Sequence, residues 1–367
     1  MKTINYTFNQ LKTKYDLSQM TNPDTALFVD IETTGFSFKN ASIYLIGVCY
    51  VKEGIWKGIQ WFAEHKTEES LIIDSFFQFA KTYSTLIHFN GNKFDLPFIL
   101  GRCEKLGLCY DFNNFEGIDI YKRIAPCKHF LQLPNCKQKT IEHFLHIYRE
   151  DTYNGGELVS IYKEYLKKPS EKNLNLLLMH NRDDLQGMPE LLPVLAYTDI
   201  FNRQLKVTKI HSNYYRDFNG VRQQELIIYF TLPSSVPVSL SYHANDCYVT
   251  LEDNLGTLRV PVYTEELKYF YSNYKDYYYL PLEDIAIHKS VASFVDKEHR
   301  IPATAATCYS RKFSSYLPQW DYIFEPFFKR EYKDSILFFE LTVDLKTDKV
   351  AFSKYVSHLL NMLGKTH

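Results

Sequence analysis

Residues 26–36 read ALFVDIETTGF, an apolar run that abruptly carries two acids and then breaks. Positions two apart on a strand share one face, so Asp30 and Glu32 point the same way. Two like charges held side by side destabilise each other unless a cation lies between them. The plain alternative is a strand end with two solvated acids. Thr33, Thr34 and Gly35 close the run as a turn.

Outward from that strand, SIYLIGVCYV (42–51) and GIQWFAEH (58–65) read as two more strands, giving an antiparallel meander. EESLIIDSFFQFAKTY (68–83) has helical apolar spacing, TLIHFN (85–90) is strand-like, and FDLPFILGRCEKLGL (94–108) is a helix ended near Gly107. Three further helices are expected in 141–148, 158–166 and 173–192. The order predicts an α/β domain over 25–200, a mixed sheet flanked by helices. Before it, residues 1–24 are polar and turn-rich, ending in Asn22-Pro23-Asp24, and read as an extension. From about residue 203 short alternating runs such as QQELIIYFTL and TLRVPVY take over, with KVAFSKYVSHLLNMLG (349–364) as a closing helix. Residues 201–367 are therefore expected to be a mainly β accessory domain that binds substrate or a partner.

Composition limits the function classes. The 367 residues are 45% hydrophobic and 23% charged with a formal net charge of −1, which excludes disordered and fibrous classes. No apolar run approaches the roughly 20 residues of a membrane helix, and the N-terminus lacks a signal-peptide core. Seven cysteines without framework spacing fit reduced thiols, so a cytoplasmic location is expected. Balanced charge excludes a basic tail, although a polyanion-binding groove can lie beside an acidic metal site.

Two more acidic patches follow. Asp95 sits in HFNGNKFDLPFI (88–99), at the start of a predicted helix, where it also suits a capping role. His180-Asn181-Arg182-Asp183-Asp184 lies inside a predicted helix with His180 and Asp184 four apart on one face, a spacing that a surface pair also has. Together Asp30, Glu32, Asp95 and Asp184, with His180, match the needs of a two-metal phosphodiester hydrolase. Hard oxygen ligands suit two Mg²⁺ or Mn²⁺ ions, which stabilise the attacking and leaving oxygens, and an imidazole beside them handles the water proton.

DIETTG, then NGNKFDLP some sixty residues on, then a helix with His180 four before Asp184, resembles the DEDD superfamily of 3′–5′ exonucleases over roughly residues 25–195. The Asn90–Pro97 segment is similar to the second motif of the proofreading domains of B-family DNA polymerases. KTIEHFLHIYREDTYNGGELVSIYKEYL (139–166) followed by HNRDDLQGM resembles the YprB-like family. The resemblance implies a ribonuclease-H-like fold and release of nucleoside 5′-monophosphates from nucleic acid with a free 3′ end, here expected to be single-stranded. It implies that Asp30 bridges both metals, Glu32 and Asp184 serve the metal that activates water, and Asp95 serves the other. Thr33 and Thr34 would lie against the terminal nucleotide, Asn90 near its sugar and Phe94 against the substrate end. Family subtypes carry Tyr four before the last Asp or His five before it, so His180 is a hybrid and Asp183 is an alternative ligand. A non-catalytic nucleic-acid-binding module and a structure-specific endonuclease are the rival functions.

Lesser candidates are a zinc set drawn from Cys127, His129, Cys136, His143 and His146, an Asp119 that reads as a loop acid ahead of the alternative that it supports a site residue, and a turn at Asn154-Gly155-Gly156. Residues 288–320 interleave cations and aromatics from His288 and Lys289 to Arg311, Lys312, Phe313, Tyr316 and Trp320, a pattern that suits a nucleic-acid backbone with stacked bases.

Overall fold

Ala26, Leu27, Phe28 and Val29 make the start of ALFVDIET apolar on both faces, which makes this strand central rather than peripheral. The computed structural model describes residues 1–9, 11, 13, 15–149, 153 and 155–365, in two compact units, Met1–Thr198 and Asp199–His367. In the first unit β1 (Lys2–Thr7), β2 (Ala26–Thr33), β3 (Ile43–Lys52), β4 (Ile55–Phe62), β5 (Thr85–His88) and β6 (Glu116–Asp119) form one sheet in the order β1-β4-β3-β2-β5-β6. The pairs from β1 to β2 are antiparallel, whereas β5 runs parallel to both β2 and β6. This is the expected mixed sheet flanked by helices.

The two faces of β2 divide the labour. Leu27, Val29 and Ile31 pack under α1 (Glu69–Ala80) and α2 (Asp95–Leu106) with Ile72, Ile73, Phe76, Phe98 and Ile99. On the opposite face, Tyr44, Leu45 and Phe62 pack against α5 (Gly155–Lys167) and α6 (Glu171–Leu191) through Leu158, Tyr162, Tyr165, Leu174 and Leu177. Phe28, Asp30 and Glu32 belong to that second face by the strand's period of two. Two short helices, α3 (Ile120–Ile124) and α4 (Gln138–Phe144), lie in the connection between β6 and α5.

α6 is brought close to the sheet by a glycine. A Cβ on Gly47 of β3 would stand 2.0 Å from Asn181 Oδ1 and 2.6 Å from Leu185 Cδ1. Gly47→Ala is therefore expected to force α6 outward and destabilise the fold by about 1–3 kcal/mol, read as a lower denaturant midpoint.

The sequence reading needs three corrections here. Residues 2–7, expected in an extension, form β1 and extend the sheet at its β4 edge. Ile4 and Tyr6 alternate along it but are only half-buried, as on an edge strand, in a run otherwise too polar to stand out. Gly155 and Gly156 open α5 instead of forming a turn, and Asn154 lies outside the described residues. Asp119 is no loop acid. It accepts from the Asn90 and Asn92 N–H groups at 3.0 and 3.3 Å and caps α3 through the Lys122 N–H at 3.2 Å.

In the second unit, after α7 (Leu195–Asn202) crosses the division, strands β7 (Lys206–Arg216), β8 (Arg222–Thr231), β9 (Leu240–Ala244), β10 (Cys247–Glu252) and β11 (Leu255–Pro261) form a five-stranded antiparallel sheet. β12 (Tyr263–Phe270), β13 (Tyr277–Leu280), β14 (Ile285–His288), β15 (Ile301–Pro302), β16 (Tyr309–Gln319), β17 (Phe327–Phe328) and β18 (Leu337–Glu340) make sheets of four and three strands. Helices α8 (Val343–Thr347) and α9 (Lys349–Lys365) close the unit, so it is mainly β as expected. The cation-aromatic run of 288–320 does not survive as one patch. Tyr309 and Tyr316 are core residues of β16, while Arg311 pairs with Glu266 at 3.1 Å and Lys312 with Glu340 at 2.6 Å. Lys289 and Arg300 lie over the Tyr278 ring. Alternation along β16 sends neighbouring residues to opposite faces, which a linear reading of the run overlooked.

Candidate functional site

The site forms where the acidic end of β2 meets the middle of α6. Ser170 starts that helix by accepting the Asn173 N–H at 3.2 Å, a cap worth about 1 kcal/mol. Leu174, Leu177, Asn181, Leu185 and Met188 are all buried, so the stripe facing the sheet is apolar except for one asparagine. Asn181 Nδ2 donates to Asp30 Oδ2 at 2.7 Å, and its Oδ1 accepts from buried Gln60 Nε2 at 2.7 Å. Gln60 on β4 also reaches the Leu178 carbonyl at 2.9 Å. The Asp30 carboxylate is thus oriented by a relay that spans β4, α6 and β2.

One turn further along, Glu32, His180 and Asp184 converge. His180 Nε2 stands 3.7 Å from Glu32 Oε1 and 3.5 Å from Asp184 Oδ2, and one ligand atom from each of the three lies within 4.8 Å of the others. Tyr44 Oη donates to Glu32 Oε2 at 3.5 Å. Asp95 is buried at the first turn of α2, with its carboxyl against the backbone N–H of Ile31 and its own. Burial first, and then the charges of Asp184 and Asp119, lift its pKa to about 7 against those backbone bonds. Asp30 is held well above the carboxylate range, first by burial and then by Asp184, Asp95 and Glu32, with Asn181 opposing. Two buried carboxyls, Asp30 and Asp95, held up by burial and by neighbouring negative charge, leave room for positive charge.

Of the nine residues singled out from the sequence, the structure gathers Glu32, His180 and Asp184 into one ligand-like group, with Asp30 and Asp95 close enough to feel their charge. Asp183 instead lines a cavity of about 790 Å³ with Tyr6 and Arg182. Thr33 and Thr34 serve the turn: Thr33 Oγ1 donates to the Gly35 carbonyl at 2.8 Å and Thr34 Oγ1 accepts the Ser42 N–H at 2.9 Å. Asn90 has φ 61° and is tied by its N–H to Asp119, a left-handed position that asparagine tolerates. Phe94 is half-buried, with Phe98 5.4 Å away and the exposed Phe36 edge-on at 6.5 Å. Among the described residues the cysteines and histidines of the suggested zinc set form no metal-like group.

The sequence reading missed Asn181, Gln60, Arg149 and Phe36. Asn181 had a signal, a lone amide in the apolar stripe of α6. Arg149 had none, because its partners Glu142 and Asp184 are 7 and 35 residues away.

Residues 27–196 match the model of RNase_H_2, a family of the RNase_H superfamily, so this segment is a ribonuclease-H-like domain. Among solved structures, a family B DNA polymerase from the hyperthermophilic archaeon Pyrobaculum calidifontis is similar at 15% identity, with 48% of this chain and 25% of that chain covered and a TM-score of 0.38. An apo exonuclease I is similar at 10% identity, covering 57% of each chain, with a TM-score of 0.30. The zinc-bound E. coli ExoI–ssDNA complex is similar at 11% identity over 58% of this chain and 55% of that one, TM-score 0.28. The chain thus spans a quarter of the polymerase and little more than half of the exonucleases, and no activity is carried across at this likeness. No curated protein matches the sequence. Among the described residues no helix is long and apolar enough to cross a membrane.

Proposed function

We propose that the chain is a metal-dependent 3′–5′ exonuclease of the DEDD type, of the YprB-like branch, acting in the cytoplasm on single-stranded DNA or RNA. The observation that carries this reading is the convergence of Glu32, His180 and Asp184 within 4.8 Å beside Asp30 and Asp95. Their hard oxygen atoms and one imidazole fit Mg²⁺ or Mn²⁺. Two such ions, when bound, supply charge stabilisation at the attacking and leaving oxygens of an in-line displacement.

The chain's own residues do the remaining work. Glu32, Asp184, Asp30 and Asp95 would hold the ions through their carboxylate oxygens. Asp30 is kept in register by Asn181, because a ligand that rotates freely weakens a site. His180 Nε2 faces the gap between Glu32 and Asp184, where it takes the proton of the attacking water. In this reading Thr33, Thr34 and Asn90 hold the terminal nucleotide, with Phe94 and Phe36 against its end.

The test is a time course on end-labelled linear and circular single strands, DNA and RNA, with Mg²⁺, Mn²⁺ or EDTA. Laddering from 3′ ends, abolished by EDTA and absent on circles, is the expected result. Cutting of circles would mean an endonuclease, and binding without cleavage a non-catalytic module.

A further inference from the structure

Asp184 has two oxygens, and only one of them faces His180. The other, Oδ1, accepts from Arg149 Nη1. Arg149 is anchored from behind: its Nε and Nη2 fork onto both oxygens of Glu142, the Nη2 bond being 2.5 Å. Glu142 is only 1% exposed on α4, so it needs a counter-charge, and the guanidinium is a permanent one. Gln138, one turn earlier, donates from Nε2 to Glu142 Oε1 and to the Asp184 carbonyl, both at 3.0 Å. The assembly touches α6 at Gly187, where a Cβ would stand 2.3 Å from Glu142 Oε1 and 2.9 Å from Gln138 Nε2. Gln138, Glu142 and Arg149 therefore form a built clamp against α6, closed on one oxygen of Asp184.

We propose that Arg149, held by Glu142, is a metal-selectivity residue: by occupying Oδ1 it leaves Asp184 a single oxygen for a cation. The inference rests on the reading of Glu32, His180 and Asp184 as a metal site. Ca²⁺ takes six to eight oxygens and readily accepts both oxygens of one carboxylate, whereas Mg²⁺ demands an octahedron of single donors. A clamped Asp184 offers the second kind of ligand and withholds the first.

The experiment is a direct titration of the full chain with Mn²⁺, free Mn²⁺ being read by its paramagnetic resonance signal, followed by competition with Ca²⁺. Glu142→Gln/Arg149→Met removes both charges together, so that neither is left buried alone. In that variant the preference for Mn²⁺ over Ca²⁺ is expected to fall about 10-fold or more, the scale typical of groups that hold a ligand in place. Arg149→Lys keeps the charge but cannot span two carboxylates, and should give an intermediate fall; it decides the matter if the double variant does not fold. A residue that only supports the fold would lower the melting temperature and leave the ratio alone. An unchanged ratio in folded variants overturns the clamp while leaving the metal site standing. A wild-type chain that binds no Mn²⁺ overturns the metal site itself.

Discussion

Asp30→Asn is expected to abolish cleavage and, without metal, to raise the melting temperature. Both effects have one cause. Asp30 lies among Glu32, Asp95 and Asp184, and its carboxyl is pushed well above the ordinary range by burial and then by those charges. An asparagine keeps a carbonyl for the Asn181 amide and drops the charge. Several kcal/mol of charge stabilisation are attributed to metal ions in such sites, and at 1.4 kcal/mol per decade the loss of a proposed metal ligand should slow turnover by about 10³-fold or more.

The sign of the pH dependence follows from the raised carboxyls. A carboxyl whose pKa is higher in the folded chain contributes stability below its unfolded value, near pH 4, and that contribution is lost as pH rises through the folded value. The Asp95 contribution is lost as pH rises through about 7, and that of Asp30 as pH rises through its own raised value. Metal-free wild type should therefore weaken as pH rises from about 4 through about 7, and the advantage of Asp30→Asn should grow as pH rises above about 4. Divalent ions need the deprotonated carboxylates, so they should raise the wild-type melting temperature far more at high pH than at low. Calorimetric scans with Mn²⁺ or EDTA check all three statements. A variant with near wild-type cleavage would remove Asp30 from the chemistry.

His180→Ala is the second large effect. If the imidazole takes the water proton, turnover should fall by about 10²–10⁴-fold. His180 is 7% exposed and its Nε2 is shared between Glu32 and Asp184, so a ligand role is the competing explanation. Saturating Mn²⁺ separates the two. A missing ligand is offset in part by excess metal, whereas a missing base is not, and kcat stays low. An unchanged kcat would make His180 a packing residue.

What was legible in the sequence was local. DIETTG announced a strand with two acids on one face because a period of two survives in eight residues. The α6 stripe likewise announced which side of the helix faces inward, and with it His180 and Asp184. Gly107 ended α2 in a left-handed conformation, φ 68°, as its place in the sequence predicted. The rest depended on partners distant in sequence. β6 is four residues long and half exposed, too short for any periodicity. Asp119 looked like a loop acid because the N–H groups it gathers at Asn90 and Asn92 are almost thirty residues away. Arg149 follows a helix end and had no pattern at all, yet it fixes one of the four carboxylates.

The bond between Asn181 and Asp30 joins residues 151 apart in sequence. Closing so long a loop is slow and comes late in folding, since its entropy must be met before the contact forms. During synthesis β2, β3 and β4 leave the ribosome well before α6, as the N-terminal part of a chain folds first. Until about residue 191 has emerged, α5 can cover part of the sheet face that carries Asp30 and Glu32, but His180 and Asp184 are not yet there to join them. The acidic cluster is thus complete only once α6 has been made and has docked on β2.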